Sequence, residues 1–170
     1  MKLLYEVDTK DYDANAERTY RRSACGIVIR GKTIAMCYVE KHKVHVVPGG
    51  GIEPGETMEQ AVVREMHEET GLRIIPESVS EYGYSHSVRK GQYEPVYVQD
   101  SFYYLCQAED ERDEVNLTDN EVRNGLSFGF VNAFDILQEN DKRLASSESP
   151  CLFERDRLLL LRLISDGLFD

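Results

Sequence analysis

Glu65, Glu68 and Glu69 lie three and four residues apart in the segment GGIEPGETMEQAVVREMHEETGL, residues 50–72. At 3.6 residues per turn this spacing puts the three carboxylates on one face of a helix. Like charges so placed repel by roughly a few tenths of a kcal/mol per pair, and a merely solvated helix intersperses cations to relieve them. Only Arg64 and His67 lie near. Hard oxygen ligands crowded on one side are what Mg2+ or Mn2+ requires. For the helix taken alone, a solvent-facing acidic patch is the competing reading.

The flanking elements shift that balance. Pro48-Gly49-Gly50-Gly51 can follow backbone paths closed to residues with a Cβ, and can bring main-chain groups close to a ligand. Glu53-Pro54-Gly55-Glu56 then turns the chain into the helix. Thr57 followed by Gln60 has the form of a capping box, and Gly71 stands where a glycine ends a helix. Ala61, Val62, Val63 and Met66 supply the apolar side. Before the loop, residues 2–7, 23–30, 33–39 and 44–47 read as strands, with Gly31-Lys32 as a hairpin turn. Residues 8–17 read as a polar loop. After the helix, residues 72–75, 93–107 and 128–131 read as strands, and residues 133–139 and 152–164 as helices. Strands interrupted by a few helices imply an α/β fold, a mixed sheet with helices on its faces.

The segment resembles the Nudix box, G-x5-E-x7-R-E-U-x-E-E-x-G-U with U a bulky apolar residue. Gly50, Glu56, Arg64, Glu65, Met66, Glu68, Glu69, Gly71 and Leu72 fill its nine specified positions. The resemblance implies an α/β/α sandwich with a mixed β-sheet, here a single domain over residues 1–170. It implies Mg2+-dependent hydrolysis of a diphosphate linkage in a nucleotide-like small molecule, with Mn2+ as a substitute. Glu65, Glu68 and Glu69 would be metal ligands, joined by the carbonyl of Gly49. Arg64 would orient a box glutamate, and Glu56 would hold the loop or coordinate metal through water. The general base would be Glu65 or a glutamate beyond the box. Glu121 occupies the region for the latter, with Glu114 and Asp119 as rivals. The leading activity is that of a MutT-like nucleoside triphosphate pyrophosphohydrolase giving a monophosphate and pyrophosphate. Nucleotide sugars and dinucleoside polyphosphates are alternative substrates, and a non-catalytic Nudix-like nucleotide-binding regulatory module is the alternative of another class.

Composition limits the partners. The net charge of −11 argues against sequence-independent binding of a nucleic-acid polymer, but bound cations reverse the local field for a phosphate substrate. No apolar run approaches the roughly 20 residues of a membrane helix, and no leader pattern opens the chain, so a cytoplasmic protein is expected. Cys25, Cys37, Cys106 and Cys151 have neither disulfide-framework nor zinc-finger spacing, and Cys25 and Cys37 read as core. A homodimer is admitted from related proteins; packing of the apolar C-terminal helix on its own sheet is the preferred reading. His42, His45, His67 and His86 are read as non-catalytic, with His45 near enough to the loop to face the substrate. Tyr82, Tyr84, Tyr93, Tyr97, Tyr103 and Tyr104 read chiefly as core and cross-strand residues, any one of which could stack on a base. Arg89 and Lys90 read as a solvated turn within range of a terminal phosphate.

Overall fold

The structure is a computed structural model that describes residues 1–144 and 150–169, without the side chains of residues 143, 144 and 150–153. A five-stranded mixed sheet forms one layer, in the order β1 (Leu3–Asp8), β8 (Ser80–Arg89), β9 (Val96–Leu105), β2 (Arg18–Ile27) and β6 (Gly49–Gly51). β1 runs parallel to β8 and β2 parallel to β9, whereas β8–β9 and β2–β6 are antiparallel. A second sheet has the order β11 (Leu126–Asn132), β4 (Thr33–Val39), β3 (Ile29–Arg30), with β5 (Val44–Val46) also on β4. β7 (Leu72–Ile74) pairs with β10 (Ala108–Arg112).

The helices pack on opposite sides of this framework. On one side, Ala61, Val62 and Met66 of α1 (Met58–Thr70) pack with Ala24, Val28, Ala35 and Tyr104. On the other, Ile136 of α3 (Ala133–Leu144) and Leu159, Leu160 and Leu163 of α4 (Pro150–Ser165) pack with Cys25, Ile27, Ile34, Met36 and Tyr103. The layers form the α/β/α arrangement. The C-terminal helix thus buries Leu159, Leu160 and Leu163 on the chain's own sheets, each fully buried leucine contributing about 1.5–3 kcal/mol. Met66 sits so close to β2 that a Cβ on Gly26 would come 2.5 Å from its Cγ.

Several boundaries differ from the sequence reading. The strand read at 23–30 divides: β2 begins earlier, at Arg18, while Ile29–Arg30 leave for the second sheet and form the hairpin with β4. The strand read at 93–107 is confined to Val96–Leu105. β8, β10 and α2 (Asp119–Asn124) had no counterpart as separate elements. Cys25, Cys37 and Cys106 are free and buried; the Cys151 side chain lies outside the described residues. Among the described residues no helix is long and apolar enough to cross a membrane.

Candidate active site

The glycine strand and α1 meet edge on, and bare Cα atoms make the contact possible. A Cβ on Gly50 would lie 2.4 Å from Glu65 Oε1. Gly49 has φ of 149°, and a Cβ there would lie 2.4 Å from the Ala24 carbonyl. The helix starts where the sequence requires: Gln60 N–H donates to Thr57 Oγ1 at 3.2 Å, and Thr57 N–H donates to Gln60 Oε1 at 2.9 Å. This reciprocal cap satisfies two backbone donors and fixes the angle at which α1 leaves the loop.

Arg64 organises the acidic face. Its Nε and one terminal nitrogen donate to the two oxygens of Glu56, each at 2.9 Å. The other terminal nitrogen donates to Glu65 Oε1 at 2.7 Å and Glu68 Oε2 at 3.2 Å. A further bond at 2.9 Å reaches the Gly51 carbonyl. One planar guanidinium therefore ties the loop, the glycine strand and two helical carboxylates together, which a lysine's point charge cannot do. Hydrogen bonding from Arg64 holds the Glu56 carboxyl below its ordinary range. Burial raises the Glu65 carboxyl, with Arg64 opposing.

Glu69 points inward instead. Its Oε2 accepts from the Gly49 N–H at 2.9 Å and lies 4.0 Å from Cys37 Sγ. Burial pushes its carboxyl up to about 8; the Gly49 bond opposes this, while Glu65, Glu121 and Glu68 add to it. Gly49, read from the sequence as a carbonyl ligand, thus presents its amide N–H to Glu69. Among the described residues no three acidic, thiol or imidazole groups are gathered into a ready cation cage. Glu65 and Glu68 are each drawn to Arg64.

A family profile described as the NUDIX domain matches residues 19–146. The chain belongs to the NUDIX hydrolase family. NAD-capped RNA hydrolase NudC of Klebsiella pneumoniae is 41% identical over 63 residues, covering 34% of this chain and 24% of that protein. The protein of the same name from Citrobacter koseri is 40% identical over the same shares. The chain thus spans about a quarter of the length of the curated relatives it matches. Among solved structures, a NUDIX hydrolase from Nitrosomonas europaea aligns with a TM-score of 0.56 and 16% identity over 88% of this chain and 90% of that one. A MutT NUDIX hydrolase from Burkholderia pseudomallei gives 0.54 and 18% over 68% and 85%. At these identities the structural likeness concerns the fold.

Around the NUDIX box, a cuff closes the C-terminal end of α1. Gly71 caps the helix with φ of 70°, and a Cβ there would sit 2.2 Å from the Asp113 carbonyl. The helix's last carbonyls are met in turn. Gly71 N–H serves His67 at 2.8 Å, Asn116 N–H serves Glu68 at 2.8 Å, and Arg112 serves Thr70 through two bonds at 3.0 and 2.7 Å. Asp113 accepts from Arg73 Nε at 2.9 Å and shares a 3.0 Å hydrogen bond with His67 Nε2.

Glu121 does not lie in a loop, as read from the sequence, but in the first turn of α2. Its Oε2 accepts the Thr118 N–H at 2.7 Å, a second reciprocal cap. The Thr118-x-x-Glu121 pattern is the same signal that located α1 and would have found this helix too. Glu121 lies close enough to Glu65 and Glu69 to raise both carboxyls. Asp119 shares its helical turn. Several other residues considered from sequence have local partners: His86 Nδ1 meets Asp100 at 2.7 Å, and His45 tilts against Tyr38 with centroids 4.8 Å apart. Tyr103 and Tyr104 are core, Tyr84 stacks on Phe102, and Tyr97 lies under Arg89. Lys90 N–H donates to Asp11.

Proposed function

We propose that this protein is a divalent-cation-dependent hydrolase that cleaves a phosphoanhydride linkage in a nucleotide-linked small molecule, its working site carried by one domain. The observation supporting this reading is the charge imbalance beside the glycine strand. Glu56, Glu65 and Glu68 share one guanidinium, and the neighbouring Glu69 is buried against the Gly49 N–H and the Cys37 thiol with no cation among its partners in the described residues. Such a set of hard oxygen donors, short of positive charge, fits Mg2+ or Mn2+. Glu65, Glu68 and Glu69 would hold the metal. When bound it supplies charge neutralisation at the phosphoryl oxygens and a more acidic water.

The chain's own groups do the positioning. Arg64 fixes Glu65 and Glu68 relative to the loop while binding the Gly51 carbonyl. The bare backbone of Gly49–Gly51 lets a diphosphate approach closely. Glu65, with Oε1 on Arg64, keeps Oε2 for a proton from the attacking water. Glu121 is the second choice, since its Oε2 is spent on its own helix cap. A nucleoside triphosphate and a diphosphate esterified at both ends both suit this arrangement. The name of the NudC relatives, NAD-capped RNA hydrolase, brings the second type into consideration.

The test is release of a nucleoside monophosphate from a panel of nucleotides with Mg2+, with Mn2+ and with chelator, beside Glu68→Gln. Cation-dependent turnover lost in the variant is the expected result. Well-folded, cation-loaded protein that cleaves no phosphoanhydride would sink the enzyme reading and leave a binding module.

A further inference from the structure

The face of the five-stranded sheet turned toward α4 carries a polar row where a buried sheet face is ordinarily apolar. Strand registers align Gly51, Ser23, Ser101, Ser85 and Tyr5 across β6, β2, β9, β8 and β1. The adjoining row is Arg21, Gln99 and Ser87. By strand alternation Ser23 and Ser101 share the side of Cys25 and Tyr103, which pack against α4. Ser23, Ser85, Ser87 and Ser101 are each no more than 4% exposed.

These groups are held in a defined arrangement. Ser23 Oγ donates to Ser101 Oγ at 3.2 Å, and Gln99 Nε2 donates to both hydroxyls, at 3.1 and 3.2 Å. The Tyr103 hydroxyl shares 3.0 Å bonds with Ser85 and with Tyr5. With its amide nitrogen so committed, Gln99 has Oε1 free of hydrogen-bond partners among the described residues. Arg21 is exposed, has no ion-pair partner among the described residues, and brings a guanidinium nitrogen to 3.8 Å from the Cβ position of Gly51. An unpaired cation beside the glycine strand of a protein with net charge −11 calls for an anionic ligand. The hydroxyls and the free carboxamide oxygen beyond it suit a group that both donates and accepts hydrogen bonds. A bare pyrophosphate tail, which only accepts hydrogen bonds, would leave the carboxamide oxygen unmatched.

We propose that this row recognises a sugar carried by the diphosphate, with Arg21 meeting a phosphate, Gln99 Oε1 accepting from a sugar hydroxyl, and Ser23 and Ser101 holding the carboxamide in place. The inference rests on the proposed hydrolase reading and narrows its substrate to a diphosphate esterified at both ends, one end by a sugar ring. A hexose and a ribose share that chemistry. A site built to bond a hydroxyl rejects analogues lacking it by large factors, here on the order of 100-fold.

The experiment compares kcat/KM for UDP-glucose (hexose), ADP-ribose and NAD+ (ribose) and dATP (bare phosphates) in the wild-type protein, Gln99→Leu and Arg21→Ala. The expected result is at least one sugar-bearing diphosphate preferred over dATP by about 100-fold. The ratio should fall at least tenfold in Gln99→Leu, and kcat/KM for the preferred compound several-fold in Arg21→Ala, whose exposed side chain leaves the fold intact. Which sugar wins separates hexose from ribose. Preference for dATP, or an unchanged ratio in Gln99→Leu, would overturn the row's role while leaving the hydrolase standing. Absence of all turnover would instead count against the hydrolase. Calorimetric binding of the same compounds then still decides: sugar-selective binding weakened at least fivefold by Gln99→Leu upholds the row, and equal binding overturns it.

Discussion

The two ends of α1's acidic surface are built on opposite electrostatic terms. At the C-terminal cuff Asp113 meets Arg73 and His67, and the helix carbonyls are met by Arg112, Asn116 and Gly71. At the glycine strand, three box carboxylates share Arg64, and a fourth, Glu69, is buried beside a backbone N–H. The cuff is finished by the protein; the cleft is left short of positive charge. A fold built only for stability would have no reason to keep the second arrangement, whereas strain of this kind is what a site gives up to a ligand.

The sharpest way to break the comparison is to neutralise the cleft. If Glu69 holds the proposed cation, Glu69→Gln should lower kcat/KM by on the order of 1,000-fold, about 4 kcal/mol of transition-state stabilisation. The same change should leave the cation-free protein as stable as the wild type or more so, because the cost of holding that buried carboxyl protonated is removed. Steady-state kinetics and thermal melts on one preparation check both halves. A loss of activity accompanied by a large loss of stability would mean that Glu69 is structural.

The converse change is made at the cuff. Gly71→Ala forces a Cβ into a left-handed residue and against the Asp113 carbonyl, at 2.2 Å. The conformational penalty alone is about 1–2 kcal/mol, and the clash adds to it. Urea unfolding should show a lower midpoint, while the folded enzyme at low temperature keeps the proposed cation requirement.

The acidic helix face could be read from sequence because everything that defines it is local: a cap at Thr57, carboxylates at helical spacing, a stop at Gly71. The other missed elements lacked that locality. β8 has serines at its buried positions 85 and 87, so no apolar alternation marks it as a strand. β10 is almost wholly charged and exposed, and α2 buries no side chain, so neither shows a hydrophobic period. The polar row was invisible for a stronger reason. Ser23, Ser85 and Ser101 are brought together only by the pairing of distant strands. Glu121 lies between these cases: its position beside the box was legible, and its cap at Thr118 went unread.

The cleft and the cuff should also respond to pH in opposite directions. Glu69 has its folded carboxyl raised to about 8, against roughly 4.3 in an unfolded chain. Between those values the folded state holds a proton that the unfolded state has lost, so stability falls as pH rises. The melting temperature of cation-free protein should therefore decline from pH 5 to pH 8. Saturating Mg2+ should offset the decline, and Glu69→Gln should flatten it. A cation-free profile unchanged by Glu69→Gln would show that the slope comes from elsewhere.

The smallest effect belongs to Asp113. Arg73 first, and His67 second, hold its carboxyl well below the ordinary range. Because the folded value is depressed, the unfolded chain takes up the proton first on acidification. The stabilisation is present above the unfolded pKa of roughly 3.9 and is lost as pH falls toward the folded one. The group is exposed, so salt and solvent screen the gain. Asp113→Asn should shift the acid-unfolding midpoint only slightly, and added salt should shrink the difference further. Activity measured near neutral pH should change little, since the backbone carbonyl and N–H of residue 113, which close the cuff, survive the substitution. A large loss of activity in this variant would mean that the ion pair sets the position of α1, and that cleft and cuff are mechanically one unit.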